Sequence, residues 1–321
     1  MSPEPGRGGQ ALADVDSRAV RTALTGDGLW LDVGAVTIRV RSDSPSFAHQ
    51  LQRVYGAFPF DAEGDWADIH ADLHRARGLR RWLRPQVTLH TDGQEGFEPF
   101  PADTALPLFE WGCNWLIGRR MHRWLLLHAG VVERDGLALV LPALPGSGKS
   151  TLTAALAARG WRLLSDEFGS YDPQRRAFVP MLKPVALKNE SIGVIRRYAP
   201  DAVLGPEFPN TRKGTVAHLA PSACAVARRH DLAPAGAVVL PRWQAGAATQ
   251  WTPLAEQTLF PALAFNAFNY SLLGADGFKA AVRLVRDCPG WQLVYSDLDD
   301  ALATLDRAWP EVVQRHRERA A

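Results

Sequence analysis

The chain has 321 residues, 46% apolar and 22% charged, a composition that suits two ordinary folded domains or one large one and excludes a disordered or fibrous protein. Lys and Arg exceed Asp and Glu by only 36 to 34, so overall charge gives no ground for a nucleic-acid partner, and the local Arg clusters at 75–84, 119–123 and 315–319 read as solvated surface. Cys113, Cys224 and Cys288 are too scattered for a disulfide framework or a zinc site, and no run has the length of a membrane span, so a cytoplasmic protein with reduced thiols is expected.

Residues 1–13 are Pro/Gly-rich, lack the apolar core of a signal peptide and read as a disordered leader. Residues 29–41 alternate as two short strands joined near Gly34. A helix follows around 46–55 with Pro45 near its start, then strands at 68–74 and 86–90. This makes residues 14–103 a small α+β unit without a motif of its own. The second unit, residues 104–321, opens with a buried helix over 105–122, rich in Trp, Leu and Ile. Apolar strands at 124–133 and 137–141 flank Arg134-Asp-Gly136, a hairpin signal. A Gly-rich loop, a helix over 150–159 that stops at Gly160, and a strand at 161–165 come next. Helical patterns at 254–273 and 277–286, a strand at 291–295 and a helix from 298 close the chain.

The strand ending at Leu141 runs through Pro142-Ala-Leu-Pro-Gly-Ser-Gly-Lys-Ser-Thr151 into an Ala/Leu-rich helix, the strand–loop–helix context of a Walker A phosphate loop. Pro145, Gly146, Ser147, Gly148, Lys149, Ser150 and Thr151 are the expected nucleotide-binding residues. The two glycines let backbone N–H groups turn in on phosphates, Lys149 reaches the β- and γ-phosphates, and the Ser150 hydroxyl ligates Mg²⁺. The first glycine of the usual pattern is replaced by Ala143.

Such a site needs a carboxylate near the metal. Ten helical residues lead about 15 Å away from the loop, and five or six strand residues return about 17–20 Å. Asp166 and Glu167 therefore come back to the level of Lys149 and Ser150. One of them can hold the metal while the other takes a proton from an attacking hydroxyl. His128, on the strand before the loop strand, is placed to orient or ionise such a base, although a lone His in an apolar strand is as often a packed residue.

His128-Ala-Gly130, the hairpin, the loop and Arg159-Gly-Trp-Arg-Leu-Leu-Ser-Asp-Glu167 together resemble the HPr kinase/phosphorylase superfamily, which shares its phosphate-loop core with the PEP carboxykinases. The likeness is greatest to the bacterial HPr-kinase-related kinases of group A. It extends through Phe109-Glu-Trp-Gly-Cys-Asn-Trp115, Pro184-Val-Ala-Leu-Lys-Asn-Glu-Ser-Ile192, Thr211-Arg-Lys-Gly-Thr-Val-Ala-His218 and Phe268-Asn-Tyr270. The family has a paired Asp-Asp where this chain has Asp166-Glu167, and His-Gly where it has His128-Ala129-Gly130. The resemblance implies an α/β core of bent mixed sheets, ATP and Mg²⁺ as cofactors, and a hydroxyl acceptor. It implies Asp166 as base, Glu167 as metal ligand and His128 as the partner that tunes Asp166. The long acceptor signature of HPr kinases is absent, which argues against HPr as acceptor and against the reverse phosphorylase reaction.

Lys213, in the cationic run 210–218, is the residue expected to neutralise charge on the phosphoryl group in flight, with Arg212 as its competitor. Lys188 and Asn189 are candidates for the acceptor side, and the aromatics of 265–270 for adenine contact. The expected function is transfer of the γ-phosphate of ATP to a Ser hydroxyl of a peptide or small protein. A kinase for a sugar or glycan precursor and a nucleotide-gated binding module are the alternatives. No nucleic-acid or membrane partner is expected, and a homo-oligomer stays open.

Overall fold

The computed structural model describes residues 9–320 apart from 77, 82, 92, 93 and 96. Residues 11–13, expected in a disordered leader, are packed instead. Leu12 lies in the core and its amide donates to Phe58 O at 2.8 Å, because an apolar residue after the Pro/Gly stretch finds a pocket under the first sheet. Residues 1–8 of that leader lie outside the described residues.

α1 (Ser17–Thr25) starts where the Asp16 carboxylate accepts from the Arg18 amide, and buries Val20 and Leu24, one turn apart. β1 (Leu29–Asp32) and β2 (Thr37–Ser42) form an antiparallel pair. α2 (Pro45–Val54), capped by Ser44 and with Pro at its first position, crosses over to β3 (Ile69–Arg75), which runs parallel to β2. β4 (Gln86–Thr91) and the short β5 (Gln94–Glu95) and β6 (Phe100–Pro101) complete a six-stranded sheet. α3 (Ala105–Arg120) packs on this sheet: a Cβ on Gly112 would overlap Leu89, and Phe109 meets Phe47 edge-on at 5.5 Å. The helix that opens the second expected unit thus packs on the first sheet.

β7 (Leu125–Arg134) and β8 (Leu137–Pro142) form the expected hairpin. Asp135 and Gly136 both have positive φ, as a type I′ turn requires. α4 (Lys149–Ala158) then leads to β9 (Arg162–Ser165), β10 (Phe168–Asp172) and β11 (Ala177–Val179). β12 (Val185–Lys188), α5 (Glu190–Tyr198), β13 (Phe208–Thr211), β14 (Gly214–Leu219) and α6 (Ala223–Ala227) follow. The chain ends with β15 (Ala233–Trp243), β16 (Gln250–Leu254), α7 (Glu256–Phe265), α8 (Tyr270–Leu273), α9 (Ala275–Asp287), β17 (Gly290–Tyr295) and α10 (Leu298–Ala320). The single helical run expected over 254–273 is thus a strand end and two helices. Buried Asn269 breaks it by bonding the edge of β7, accepting from Leu126 N at 2.9 Å and donating to Trp124 O at 2.8 Å.

The central sheet is mixed, in the order β11-β10-β7-β8-β15-β17-β16, with β9 beside the far half of β7. β15 is parallel to both β8 and β17. The sheet curls, so that β11 also pairs with the start of β15. β8 is buried on both faces. Leu139 and Leu141 share one core with Leu152 and Leu156 of α4, while Ala138 and Val140 share another with Leu259, Leu263 and Leu284. A separate small antiparallel sheet, β12-β14-β13, stands beside α4. The two units are joined by a buried polar network. Lys183 lies 3.0 Å from Glu110 Oε2 and donates to Asn114 Oδ1 at 2.5 Å, and the Tyr55 hydroxyl donates to Glu110 Oε1 at 2.7 Å. Among the described residues no helix is long and apolar enough to cross a membrane.

Candidate functional site

β8 delivers the chain to the loop at Pro142, at the carboxyl ends of the parallel strands β8, β15 and β17, where open α/β sheets bind ligands. Gly146 (φ +87°) and Gly148 (φ +85°) take the left-handed conformation that glycine supplies without strain. A Cβ on Gly148 would also collide with the Tyr295 hydroxyl, which donates to Gly148 O at 3.3 Å. Ala143, standing where the usual motif has its first glycine, is buried and is not among the positive-φ positions, so its Cβ is accommodated. α4 begins at Lys149 with no side-chain cap, which leaves its first N–H groups without intrahelical partners. The Ser147 hydroxyl, on the same loop, is buried with no hydrogen-bond partner. Pro145 and Gly146 are exposed at the tip, and Ser150 and Thr151 are half-buried at the helix start. Orphaned donors, open backbone and a helix dipole converge here, and they fit the phosphates of a nucleotide.

The return of Asp166 follows from strand register. Across β7, Gly130 pairs with Leu141 on one side and Val131 with Ser165 on the other, so Asp166 emerges level with the loop. Gly130 makes this possible, since any side chain there would overlap Thr153 of α4. The Lys149 ammonium donates to Asp166 O and lies 3.5 Å from its Oδ1, with Ser150 of the helix start nearby. Burial pushes the Asp166 carboxyl above its ordinary range against the pull of Lys149, with the Glu167 charge adding to the rise.

His128 faces Glu167, with Nε2 3.8 Å from Oε1, and the expected pairing of His128 with Asp166 is corrected. The reason lies in the chain between the strands. Asp166 and Glu167 form the bend from β9 to β10, where the Asp166 carboxylate meets Lys149 of α4, while the pairing of Phe168 with His128 brings Glu167 beside the imidazole. His128 is anchored by its amide to Asn266 O at 2.6 Å and its ring meets Phe268 edge-on at 5.5 Å. Burial and the Lys149 charge hold the His128 imidazole below its usual value, and Glu167 opposes them. Burial pushes Glu167 the other way, up, but the charges of Lys149, Lys188 and Lys213 oppose it and its carboxyl lies below the ordinary range.

Lys188 and Lys213, although distant in sequence, reach the same place because β12 and β14 pair. Asn189, at φ +50°, donates to Thr215 O at 2.9 Å and accepts from Thr215 N at 3.1 Å, and Gly214 leaves room for its side chain. The turn that carries Lys213 is held by the Thr211 hydroxyl, which donates to Gly214 O at 2.6 Å. Partial desolvation and the neighbouring Lys213 charge lower the Lys188 ammonium from its ordinary value. Arg212 is exposed on the same turn. The aromatic run 265–270 docks on the edge of β7 beside His128, so Phe268 stands on the carboxylate side of the loop.

Among the described residues no group of three or more His, Cys, Asp or Glu side chains is placed to hold a metal. A Mg²⁺ ion that travels with nucleotide phosphates needs only one or two protein oxygens, and the Ser150 hydroxyl and the Asp166 and Glu167 carboxylates are side-chain oxygens near the helix start. Sequence reading missed Trp243 and Tyr295, which close β15 and β17 against the loop; Trp243 N donates to Ser147 O at 2.9 Å. Scanned against protein-family models the chain matches none, and no curated protein matches it.

Proposed function

We propose that this chain is an ATP- and Mg²⁺-dependent kinase with a phosphate-loop core of the HPr-kinase type, transferring the γ-phosphate to a hydroxyl, with Ser of a peptide or small protein as acceptor. One observation carries the reading: an uncapped Gly-rich helix start, two carboxylates and three lysines from four separate segments converge at one end of the parallel strands.

In this reading the loop amides and Lys149 hold the β- and γ-phosphates, with Lys149 exchanging Asp166 for phosphate oxygens when nucleotide arrives. Ser150 and Asp166 would hold Mg²⁺, which would supply positive charge to those phosphates. Glu167 is the more accessible carboxylate and faces the cleft, so the acceptor hydroxyl meets it first. The acceptor oxygen bonds to the γ-phosphorus as the bond to the β,γ-bridging oxygen breaks, ADP leaves with that electron pair, and the hydroxyl proton passes to Glu167. His128, neutral at pH 7 because its pKa is depressed, can share that proton. Lys188 and Lys213 face the oxygens of the group in flight.

The test is transfer of label from γ-labelled ATP to Ser-containing peptides and small proteins, with Lys149→Ala alongside. The proposal expects Mg²⁺-dependent labelling of an acceptor that the variant loses. Labelling equal in wild type and variant, or hydrolysis to free phosphate with every acceptor class, would count against it.

A further inference from the structure

The cations and carboxylates all stand on one side of the phosphate loop, the side of β7, β9 and the β12–β14 sheet. A triphosphate whose γ-phosphate faces them leaves the loop on the opposite side, over the carboxyl ends of β15 and β17. There the chain presents Trp243. Its backbone is fixed to the loop through Ser147 O, its Cβ lies 3.0 Å from where a side chain on Gly148 would begin, and its indole N–H donates to Ser296 O at 3.1 Å. The ring is thus held by its polar edge, while the residue remains 48% exposed.

Resting on the nucleotide reading above, we propose that Trp243 is the platform on which the nucleobase stacks. The neighbouring backbone also says how the base is read. The amides of Trp243, Gln244, Gly246 and Ala247 are already taken by Ser147 O, Tyr295 O, Ser296 Oγ and Gln244 O respectively. This segment has no free amide at those positions to read the hydrogen-bonding edge of a base. Recognition then rests on the π-face, which adenine and guanine share, and the site takes purine nucleotides with little preference between them.

The experiment is calorimetric titration of the full chain with ATP, GTP and inorganic tripolyphosphate, each with Mg²⁺, repeated on Trp243→Ala and Trp243→Phe. Stacking on one aromatic ring predicts that Trp243→Ala weakens ATP and GTP alike by roughly ten- to a hundredfold, that Trp243→Phe recovers most of the loss, and that tripolyphosphate affinity stays within about twofold. ATP bound equally well by wild type and Trp243→Ala overturns the platform and leaves the phosphate site standing. Equal weakening of tripolyphosphate also overturns it, since Trp243 would then only prop the loop. A wild-type protein that binds ATP no better than tripolyphosphate has no base platform. Failure of wild type to bind either one sinks the nucleotide reading itself, which is a different outcome.

Discussion

Replacing Gly130 with alanine tests the contact that lets α4 approach β7 closely enough for Lys149 to reach Asp166. The added Cβ would overlap Thr153 Oγ1 and lie 3.2 Å from Thr153 Cβ and 3.3 Å from Cγ2. Thr153 is fully buried and its hydroxyl donates to Lys149 O at 2.9 Å, so it cannot swing aside without losing that bond. Overpacking of a tight core costs about 1–3 kcal/mol, and a broken buried hydrogen bond adds about 1 kcal/mol. We therefore expect Gly130→Ala to lose about 2–4 kcal/mol in urea unfolding followed by circular dichroism, with ATP affinity falling as the helix start shifts. Thr153→Ala removes Oγ1 and Cγ2, the overlapping atom and one of its neighbours. In the Gly130→Ala background it should restore at least half of the loss, a coupling of about 1 kcal/mol or more between the two positions. A Gly130→Ala protein within about 0.5 kcal/mol of wild type, or a double variant whose costs simply add, would refute the steric account.

The division of the carboxylates predicts that Glu167→Gln lowers the transfer rate by about a hundredfold or more with ATP binding nearly intact, while Asp166→Asn weakens Mg²⁺-dependent nucleotide binding; the reversed pattern in steady-state kinetics and titration would exchange the roles. Lys213→Ala should cut kcat by roughly a hundred- to a thousandfold and leave the ATP Kd within about threefold, with Lys213→Arg recovering part of the rate, whereas a raised acceptor KM at normal kcat would make Lys213 a docking residue. His218 is buried beside Phe208 with its pKa held below 6.5 by burial, so below pH 6.5 the unfolded chain takes up a proton that the native state refuses, and stability falls with pH over that window. His218→Phe should flatten the fall in melting temperature between pH 7 and lower pH; an unchanged slope would mean that His218 does not titrate on unfolding.

The phosphate loop was legible because its chemistry is local: glycines, Lys149 and a helix start lie within a few residues. Asp166 was legible because one helix and one strand are enough to compute its return. The partner of His128 was not, since it turns on how the bend between β9 and β10 sends two adjacent side chains to different neighbours. Lys213 was reached through resemblance and physical need, and only the pairing of β12 with β14 gives its position. β15 escaped the sequence reading because Pro234, Gly236 and Pro241 interrupt its pattern. The structure shows why they are tolerated: β8 pairs only with 235–238, so Pro241 has β17 alone as a neighbour, and the register shifts at Gly236. α1 did carry its signals, Asp16 as cap and Val20 and Leu24 one turn apart, in a stretch too short for the periodicity to stand out.

The network of Tyr55, Glu110, Asn114 and Lys183 means that the amino-terminal third is not a detachable adaptor. A chain shortened to begin after α3 would keep the Lys183 ammonium but lose the carboxylate that balances it, and breaking a buried pair from one side typically costs about 3–5 kcal/mol. Calorimetry of the whole chain should accordingly show both units melting together. Swapping this region between relatives, as is done with modular specificity domains, would have to carry Lys183 along, and Lys183 sits only five residues before Lys188 in the same chain segment.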